Sequence, residues 1–172
     1  MIPRSTSIQP EQITAVINKY LPGRSIKSVT DRGIWIRHSF RIELDNDETV
    51  WLKADDGPEA EGCSEKEAFI CNLLNTNGLP APCVLALDTS CGLLPAPFII
   101  QEHVSGRPLS TILREISTHE ALALFAELGA FFSRLHSIHN DRSGWIYGSG
   151  SILPYHPNDF MLGICRESTA IS

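Results

Sequence analysis

The sequence predicts an α+β protein built around a five-stranded antiparallel sheet. Three observations lead to this prediction. Five short stretches have the composition of strands, one helix with an apolar stripe separates the third stretch from the fourth, and hairpin connections join neighbouring strands. Sheets with this connectivity place their helices on the faces of antiparallel strands.

The first part of the chain predicts one helix and three strands. Pro10 stands at the first helical position, and Pro22-Gly23 follows the helix, which is typical of its two ends. Four turn residues, 45–48, separate two stretches of alternating character and predict a β-hairpin. The predicted elements are a helix at 10–20 and strands at 25–30, 40–44 and 49–54.

The second part predicts two helices and two further strands. Gly78 and Pro80 end the first of these helices, and Ser117 or Thr118 caps the second. The predicted elements are helices at 59–77 and 119–139 and strands at 83–88 and 96–104. Residues 143–159 are rich in Gly, Ser and Pro, and we expect them to form a loop.

Composition narrows the class of protein. The 172 residues are 42% hydrophobic and 20% charged, which is typical of a globular domain. The formal net charge of −6 argues against non-specific nucleic-acid binding, although a nucleotide could still occupy a local pocket. The five cysteines form no Cys-x-x-Cys pair, and no apolar stretch is long enough to span a membrane. We therefore expect a cytoplasmic protein with reduced thiols and without a metal site or a membrane segment.

The strand at 49–54 carries an unusual pair of side chains. Alternation places Val50 and Leu52 on one face and Trp51 and Lys53 on the other. A tryptophan and a lysine on one face indicate either an exposed edge or the wall of a pocket for a charged ligand.

The helix at 59–77 carries a carboxylate at the edge of its apolar stripe. On a helical wheel Glu67 lies between Cys63 and Cys71, and a carboxylate in that position needs a partner. Lys53 is the candidate, so we expect the two charged groups to lie within salt-bridge distance. A solvated lysine and a glutamate at the rim of the helix are the alternative.

Several motifs together resemble one known family. The motif VWLK ends at Lys53, and Glu67 of the motif EKEA follows fourteen residues later. Three further motifs come later in the chain, namely GLPAPCVLALD, PFIIQEHVSGRPL and LGAFFSRLHSI. In combination these motifs resemble the aminoglycoside phosphotransferase and choline kinase superfamily over about residues 24–150. The resemblance implies a kinase-like N-lobe, whose five-stranded sheet packs one helix, followed by the first helices of a truncated C-lobe. The expected divisions are an N-terminal helix at 1–22, the N-lobe at 23–105 and the start of the C-lobe at 106–172.

The resemblance also implies ATP with magnesium as cofactor and a set of nucleotide-binding residues. In that set Lys53 would hold the phosphates, Glu67 would orient Lys53, and Trp51 would stack on the adenine. The Gln101 carbonyl and the His103 amide would pair with the adenine edge. The implied residues are Trp51, Lys53, Glu67, Ile100, Gln101 and His103, with Ile100 at the back of the pocket.

Two departures from the family pattern qualify the expected activity. The loop after the first strand has one glycine and no G-x-G-x-x-G, although four of its residues, Arg32, Arg37, His38 and Ser39, could contact phosphate. The His-Gly-Asp-x-x-x-x-Asn loop of the family is absent, and His156-Pro157-Asn158-Asp159 imitates it only by coincidence. We therefore predict no catalytic residue and no metal ligand.

The predicted function follows from the resemblance and from these departures. The family activity is ATP-dependent phosphorylation of a small-molecule hydroxyl, and we expect this chain to be truncated and inactive alone. The acceptor is not predicted. The alternative is a non-catalytic remnant that binds a nucleotide or another protein. The apolar stripe of the helix at 119–139 further suggests self-association.

Overall fold

The computed structural model describes residues 7–33, 37–55, 57, 60–140, 144–148 and 150–154. Within them the chain forms four helices and seven strands. In chain order these are α1 (Pro10–Tyr20), β1 (Ile26–Asp31), β2 (Arg37–Leu44), β3 (Thr49–Asp55), α2 (Cys63–Thr76), β4 (Val84–Asp88), β5 (Phe98–Glu102), α3 (Leu109–Ile112), α4 (Thr118–His136), β6 (Gly144–Tyr147) and β7 (Ser151–Pro154).

Three of the differences from the predicted elements have a clear physical reason. Strand β2 begins three residues earlier than predicted, because Arg37 and His38 pair with the end of β3. Helix α2 begins at Cys63 rather than at 59, after Gly62 with a positive φ of 71°. The predicted loop at 143–159 instead contains the β6–β7 hairpin, because Trp145 and its two successors are strong strand formers.

Strands β1 to β5 form one antiparallel sheet in the order β1-β2-β3-β5-β4, as predicted for the fold class. β1 and β4 are therefore its two edges. Each edge strand carries one residue more than its neighbour at one point, Lys27 in β1 and Leu85 in β4, and so forms a β-bulge.

Helix α1 covers one face of the sheet and completes the hydrophobic core there. The buried cluster joins Ile13, Val16 and Ile17 of α1 to Phe40, Ile42, Leu44, Val50, Leu52, Ala54, Leu94, Phe98 and Ile100. A polar contact fastens the end of α1 to β4, since Tyr20 Oη donates to Asp88 Oδ2 over 2.6 Å and Lys19 Nζ lies 3.5 Å from the same oxygen. The N-terminal helix thus shares its core with the sheet.

Helix α2 lies on the opposite face, where it contacts β3, β4 and β5. Its buried residues are Ser64, Ala68 and Cys71. The β6–β7 hairpin packs against the outside of α2. A Cβ atom on Gly150 would lie only 2.3 Å from a ring carbon of Phe69, so only glycine fits at that contact.

Helix α4 is capped but little buried. Ser117 and Glu120 form a reciprocal capping box at its N-terminus, yet none of its nineteen residues is buried. Leu122, Phe125 and Phe132 are 65%, 50% and 45% exposed. No helix in the described part of the chain is long and apolar enough to cross a membrane.

Candidate functional site: the Lys53–Glu67 face of the sheet

The predicted partnership of Lys53 and Glu67 is confirmed. Lys53 Nζ lies 2.5 Å from Glu67 Oε1, and the two side chains are 28% and 26% exposed. Strand alternation brings Lys53 to the face that α2 covers, and the helical period turns Glu67 towards it. The bridge is therefore only partly screened from water.

A second cation, Arg37 of β2, holds the other oxygen of the Glu67 carboxylate. Arg37 Nη1 donates to Glu67 Oε2 over 2.6 Å, and Nη2 donates to Ser64 Oγ over 3.0 Å. Arg37 Nε lies 3.0 Å from Asp55 Oδ1 in an ion pair whose angle is outside hydrogen-bond geometry. The sequence named Arg37 only as a possible phosphate contact, but its guanidinium is committed to protein partners.

Asp55 connects the end of β3 to the beginning of α2. Its Oδ2 accepts the Ser64 backbone N–H over 3.1 Å, and its Oδ1 accepts the Ser64 hydroxyl over 2.8 Å. A carboxylate at the first turn of a helix satisfies a free backbone donor and complements the helix dipole. These bonds fix where Glu67, one turn further along α2, meets the sheet.

The charge of Glu67 depends on these neighbours. Partial burial alone raises the pKa of the Glu67 carboxyl, but hydrogen bonds from Lys53 and Arg37 outweigh burial, so that the net pKa is lowered. Next to it on α2, burial raises the pKa of the Cys71 thiol. The site therefore holds an ionised carboxylate between two cations, beside a neutral thiol.

Trp51 lies on the same face as Lys53, and a hydrogen bond from its indole N–H holds it in place. Its Nε1 donates to His103 Nδ1 over 2.9 Å, which requires that this nitrogen carry no proton. The indole and imidazole centroids are 6.2 Å apart. The side chain of His103, at the end of β5, thus sets the orientation of the indole. The sequence predicted a role only for the backbone amide of His103.

Two details of the predicted adenine contacts do not fit the structure. Ile100 pairs with Leu52 and lies fully buried in the α1 core, on the face opposite Lys53, so it cannot form the back of a pocket there. Gln101 is the β5 residue on the Lys53 side, where its Nε2 donates to Cys71 Sγ over 3.5 Å. The His103 amide already donates to the Thr49 carbonyl over 3.2 Å.

The other candidate phosphate and metal contacts are dispersed. His38 stacks on Phe40 at a centroid distance of 6.0 Å, and Ser39 is buried beside Lys53 in the β2–β3 pairing. Residues 156–159 lie outside the described residues. Among the described residues no group of three or more His, Cys, Asp or Glu side chains could hold a metal ion, so these residues do not fit a protein-held magnesium.

A five-stranded antiparallel sheet whose central lysine is paired with a glutamate on a packed helix defines a kinase-like lobe. Comparison with protein-family models identifies the family within this fold. The model of the phosphotransferase enzyme family matches residues 30–149. The chain belongs to that family.

One solved structure agrees with this assignment at the level of the fold, and two others resemble shorter parts of the chain. A Ralstonia eutropha protein assigned as an aminoglycoside phosphotransferase is 21% identical with a TM-score of 0.62, over 77% of this chain and 39% of its own. A Thermobifida fusca protein assigned as a fructosamine-3-kinase is 29% identical with a TM-score of 0.43, over 56% of this chain and 32% of its own. The enzyme APH(2")-IIia, solved with GDP and kanamycin, is 20% identical with a TM-score of 0.42, over 55% of this chain and 31% of its own.

The chain thus spans less than half the length of each of these proteins. No curated protein sequence matches it.

Proposed function

We propose that the face carrying Trp51, Lys53 and Glu67 binds the ATP of a small-molecule phosphotransferase. The observation that carries this proposal is the Lys53–Glu67 bridge, formed on the α2 side of the central strand with both side chains partly exposed. A lysine held by a carboxylate presents its ammonium group in one direction, towards where the phosphates of a nucleotide would lie.

The base would occupy the Trp51 end of the same face. Trp51 and Lys53 are two residues apart on one strand, so a ligand that covers both is an extended one with an aromatic end and an anionic end. The Trp51–His103 hydrogen bond supports this role, because an indole with a fixed orientation is a better stacking surface than a mobile one. Gln101, rather than Ile100, would stand at the back of the base site.

We propose the corresponding division of the chain. Residues 23–105, with α1 packed on their sheet, form the nucleotide-binding N-lobe. Residues 106–172 begin the second lobe, with α3 and α4 as its first helices.

Titration with ATP tests the proposal. Tryptophan fluorescence is followed in a background that carries Trp35→Phe and Trp145→Phe, which leaves Trp51 as the single tryptophan of the sequence. We expect quenching that saturates, and a loss of ATP affinity of about tenfold or more in Lys53→Met. Lys27→Met is the matched control, because Lys27 pairs with the exposed Asp47 at the sheet edge. The absence of any response at millimolar ATP contradicts the proposal.

We further propose that the 172 residues alone do not transfer phosphate. Phosphoryl transfer depends on positioning, on a metal and on a group that accepts the hydroxyl proton. The sequence contains no His-Gly-Asp-x-x-x-x-Asn, and among the described residues no group of His, Cys, Asp or Glu side chains could hold a metal ion.

The test is an ADP-release assay with magnesium and a panel of aminoglycosides, choline, ethanolamine and sugars. We expect no acceptor-dependent release above the rate without protein. Acceptor-dependent release that disappears in Lys53→Met would overturn this part of the proposal and leave nucleotide binding intact.

The alternative function, a protein-interaction module, has support in the exposed apolar side of α4. Leu122, Phe125 and Phe132 lie within about three turns of α4 and favour burial against another apolar surface. Under this alternative the chain self-associates whether or not ATP is present. Sedimentation velocity across a hundredfold range of concentration separates the two cases, because a monomer at every concentration contradicts self-association.

A further inference from the structure

We propose that Arg37 is a positioning residue of the nucleotide site and acts on the phosphates only through Glu67 and Lys53. This inference rests on the proposed function. Its basis is the division of one carboxylate between two cations, with Lys53 on Oε1 and Arg37 on Oε2.

The contacts of Arg37 commit its guanidinium to protein partners. All three guanidinium nitrogens face protein partners, namely Glu67, Ser64 and Asp55, and the side chain is only 15% exposed. Lys53, in contrast, has Glu67 as its one ion-pair partner among the described residues. Of the two cations, Lys53 is the one able to turn towards a ligand.

Arg37 keeps Glu67 paired when Lys53 turns. A half-buried carboxylate that loses its only cation carries a large desolvation cost. With Arg37 on Oε2, Glu67 remains ionised and oriented while Lys53 engages a phosphate. The neutral Cys71 thiol lies near the carboxylate on the same helix, and Asp55 is itself paired with Arg37.

Arg37 also fixes the distance between the sheet and the helix. Its fork reaches Ser64 and Glu67, which lie one turn apart on α2, while Nε meets Asp55 on β3. The guanidinium is planar and its donors form a rigid fork, so it holds partners on α2 and β3 in one fixed geometry, whereas a lysine ammonium is a compact point charge on a flexible stem. Arg37 therefore sets both the rotamer of Glu67 and the height of α2 above β3.

Binding of ATP and of adenosine to variants of β2 tests the inference. We expect Arg37→Gln to lower the affinity for ATP about tenfold. The affinity for adenosine should change by less than about twofold, because adenosine has no phosphate for Lys53 to hold. Arg37→Lys keeps the charge but not the planar fork, so its ATP affinity should lie between those of the unmodified protein and Arg37→Gln. This variant keeps the test valid if Arg37→Gln folds poorly. Arg41→Gln is the matched control: Arg41 lies on the same strand and face but pairs with Glu43. The inference is overturned if Arg41→Gln lowers the ATP affinity as much as Arg37→Gln does. It is also overturned if Arg37→Gln lowers the affinities for adenosine and ATP equally.

A double-mutant cycle with Lys53→Met distinguishes an indirect role from direct contact. If Arg37 acts through Lys53, Arg37→Gln causes no further loss of ATP affinity in the Lys53→Met background. Independent, multiplicative losses would mean that Arg37 touches the phosphates itself, and would overturn the inference.

A measurement without ligand separates this inference from the proposed function. The Glu67 carboxyl is titrated by carbon NMR, with Glu67→Gln to assign its signal, and we expect the measured pKa of Glu67 to be higher in Arg37→Gln than in the unmodified protein. An unchanged Glu67 titration overturns the role of Arg37 even if ATP binds. A protein that binds neither ATP nor adenosine refutes the proposed function instead, and the nucleotide role of Arg37 with it.

Discussion

The two faces of the central strand β3 are built from alternate residues of the same seven-residue stretch, yet they have opposite chemistry. On the α1 face Leu52 and Ala54 are fully buried in an apolar cluster. On the α2 face Lys53 and Asp55 belong to a network of charges that also includes Arg37 and Glu67. The difference predicts that the stability of this lobe depends mainly on the α1 face, whereas the proposed nucleotide site lies on the α2 face.

The largest expected effect on stability comes from the apolar face. Leu52→Ala removes a fully buried side chain and leaves a cavity, so we expect the free energy of unfolding to fall by about 3 kcal/mol. Urea denaturation measures this change. The comparison requires that Lys53→Met, one residue away on the other face, change the free energy of unfolding by less than about 1 kcal/mol. Similar losses in both variants would mean that the charged face is equally important for stability.

The contact between α2 and the β6–β7 hairpin tests how far the α2 side depends on close packing. Gly150 has a φ of +103° and lies directly beneath Phe69. A methyl group there is both strained and in steric conflict, so we expect Gly150→Ala to cost about 2 kcal/mol and to expose the hairpin to proteases. Gly106→Ala is the control, because open space surrounds Gly106. An unchanged unfolding midpoint in Gly150→Ala would show that the hairpin does not stabilise α2.

Asp88 provides a polar attachment on the otherwise apolar α1 side. Hydrogen bonds from Ser90 and then Tyr20 hold the pKa of the Asp88 carboxyl well below its usual value. Because the folded pKa is the lower one, the stabilisation is complete above the unfolded pKa of ~3.9 and is lost as the pH falls towards the folded value. We expect Asp88→Asn to cost about 1 kcal/mol at pH 7 and progressively less below pH ~4.

Thermal denaturation at several pH values measures the Asp88 effect. The exposed Asp47 of the Lys27 pair serves as the control carboxylate. A destabilisation by Asp88→Asn that is as large at pH 3 as at pH 7 would contradict the argument from the lowered pKa.

The smallest expected effect belongs to the rim of the apolar side. Val29 of β1 pairs with Ile42 but is 41% exposed. Thr has a similar shape and a comparable preference for strands, so Val29→Thr should change the free energy of unfolding by no more than ~0.5 kcal/mol. A cost close to that of Leu52→Ala would show that the apolar core extends to the sheet edge.

The parts of the site that follow from local periodicity were predictable from the sequence. The position of Lys53 follows from the alternation of a strand, and that of Glu67 from the turn of a helix, so their meeting needed only the correct pairing of two elements. Arg37 escaped prediction because β2 begins at 37 only through its pairing with Asp55, a contact between distant residues.

Other features had no local pattern from which to predict them. Phe98 to Gln101 are all buried, so β5 shows no alternation to indicate which face Ile100 occupies, and Ile100 was assigned to the wrong one. The bond between Trp51 and His103 joins residues 52 positions apart. The β6–β7 hairpin lies in a stretch whose composition is typical of loops, and packing on α2 overrides that composition.

The bulges at Lys27 and Leu85 have a consequence for how copies of the protein meet. Both lie on edge strands, where free backbone donors and acceptors could otherwise recruit a strand from another molecule. An extra residue interrupts the regular spacing of those groups and increases the local twist, so that an incoming strand cannot stay in register along the edge. The sheet is thereby protected on both sides against growth into cross-β aggregates.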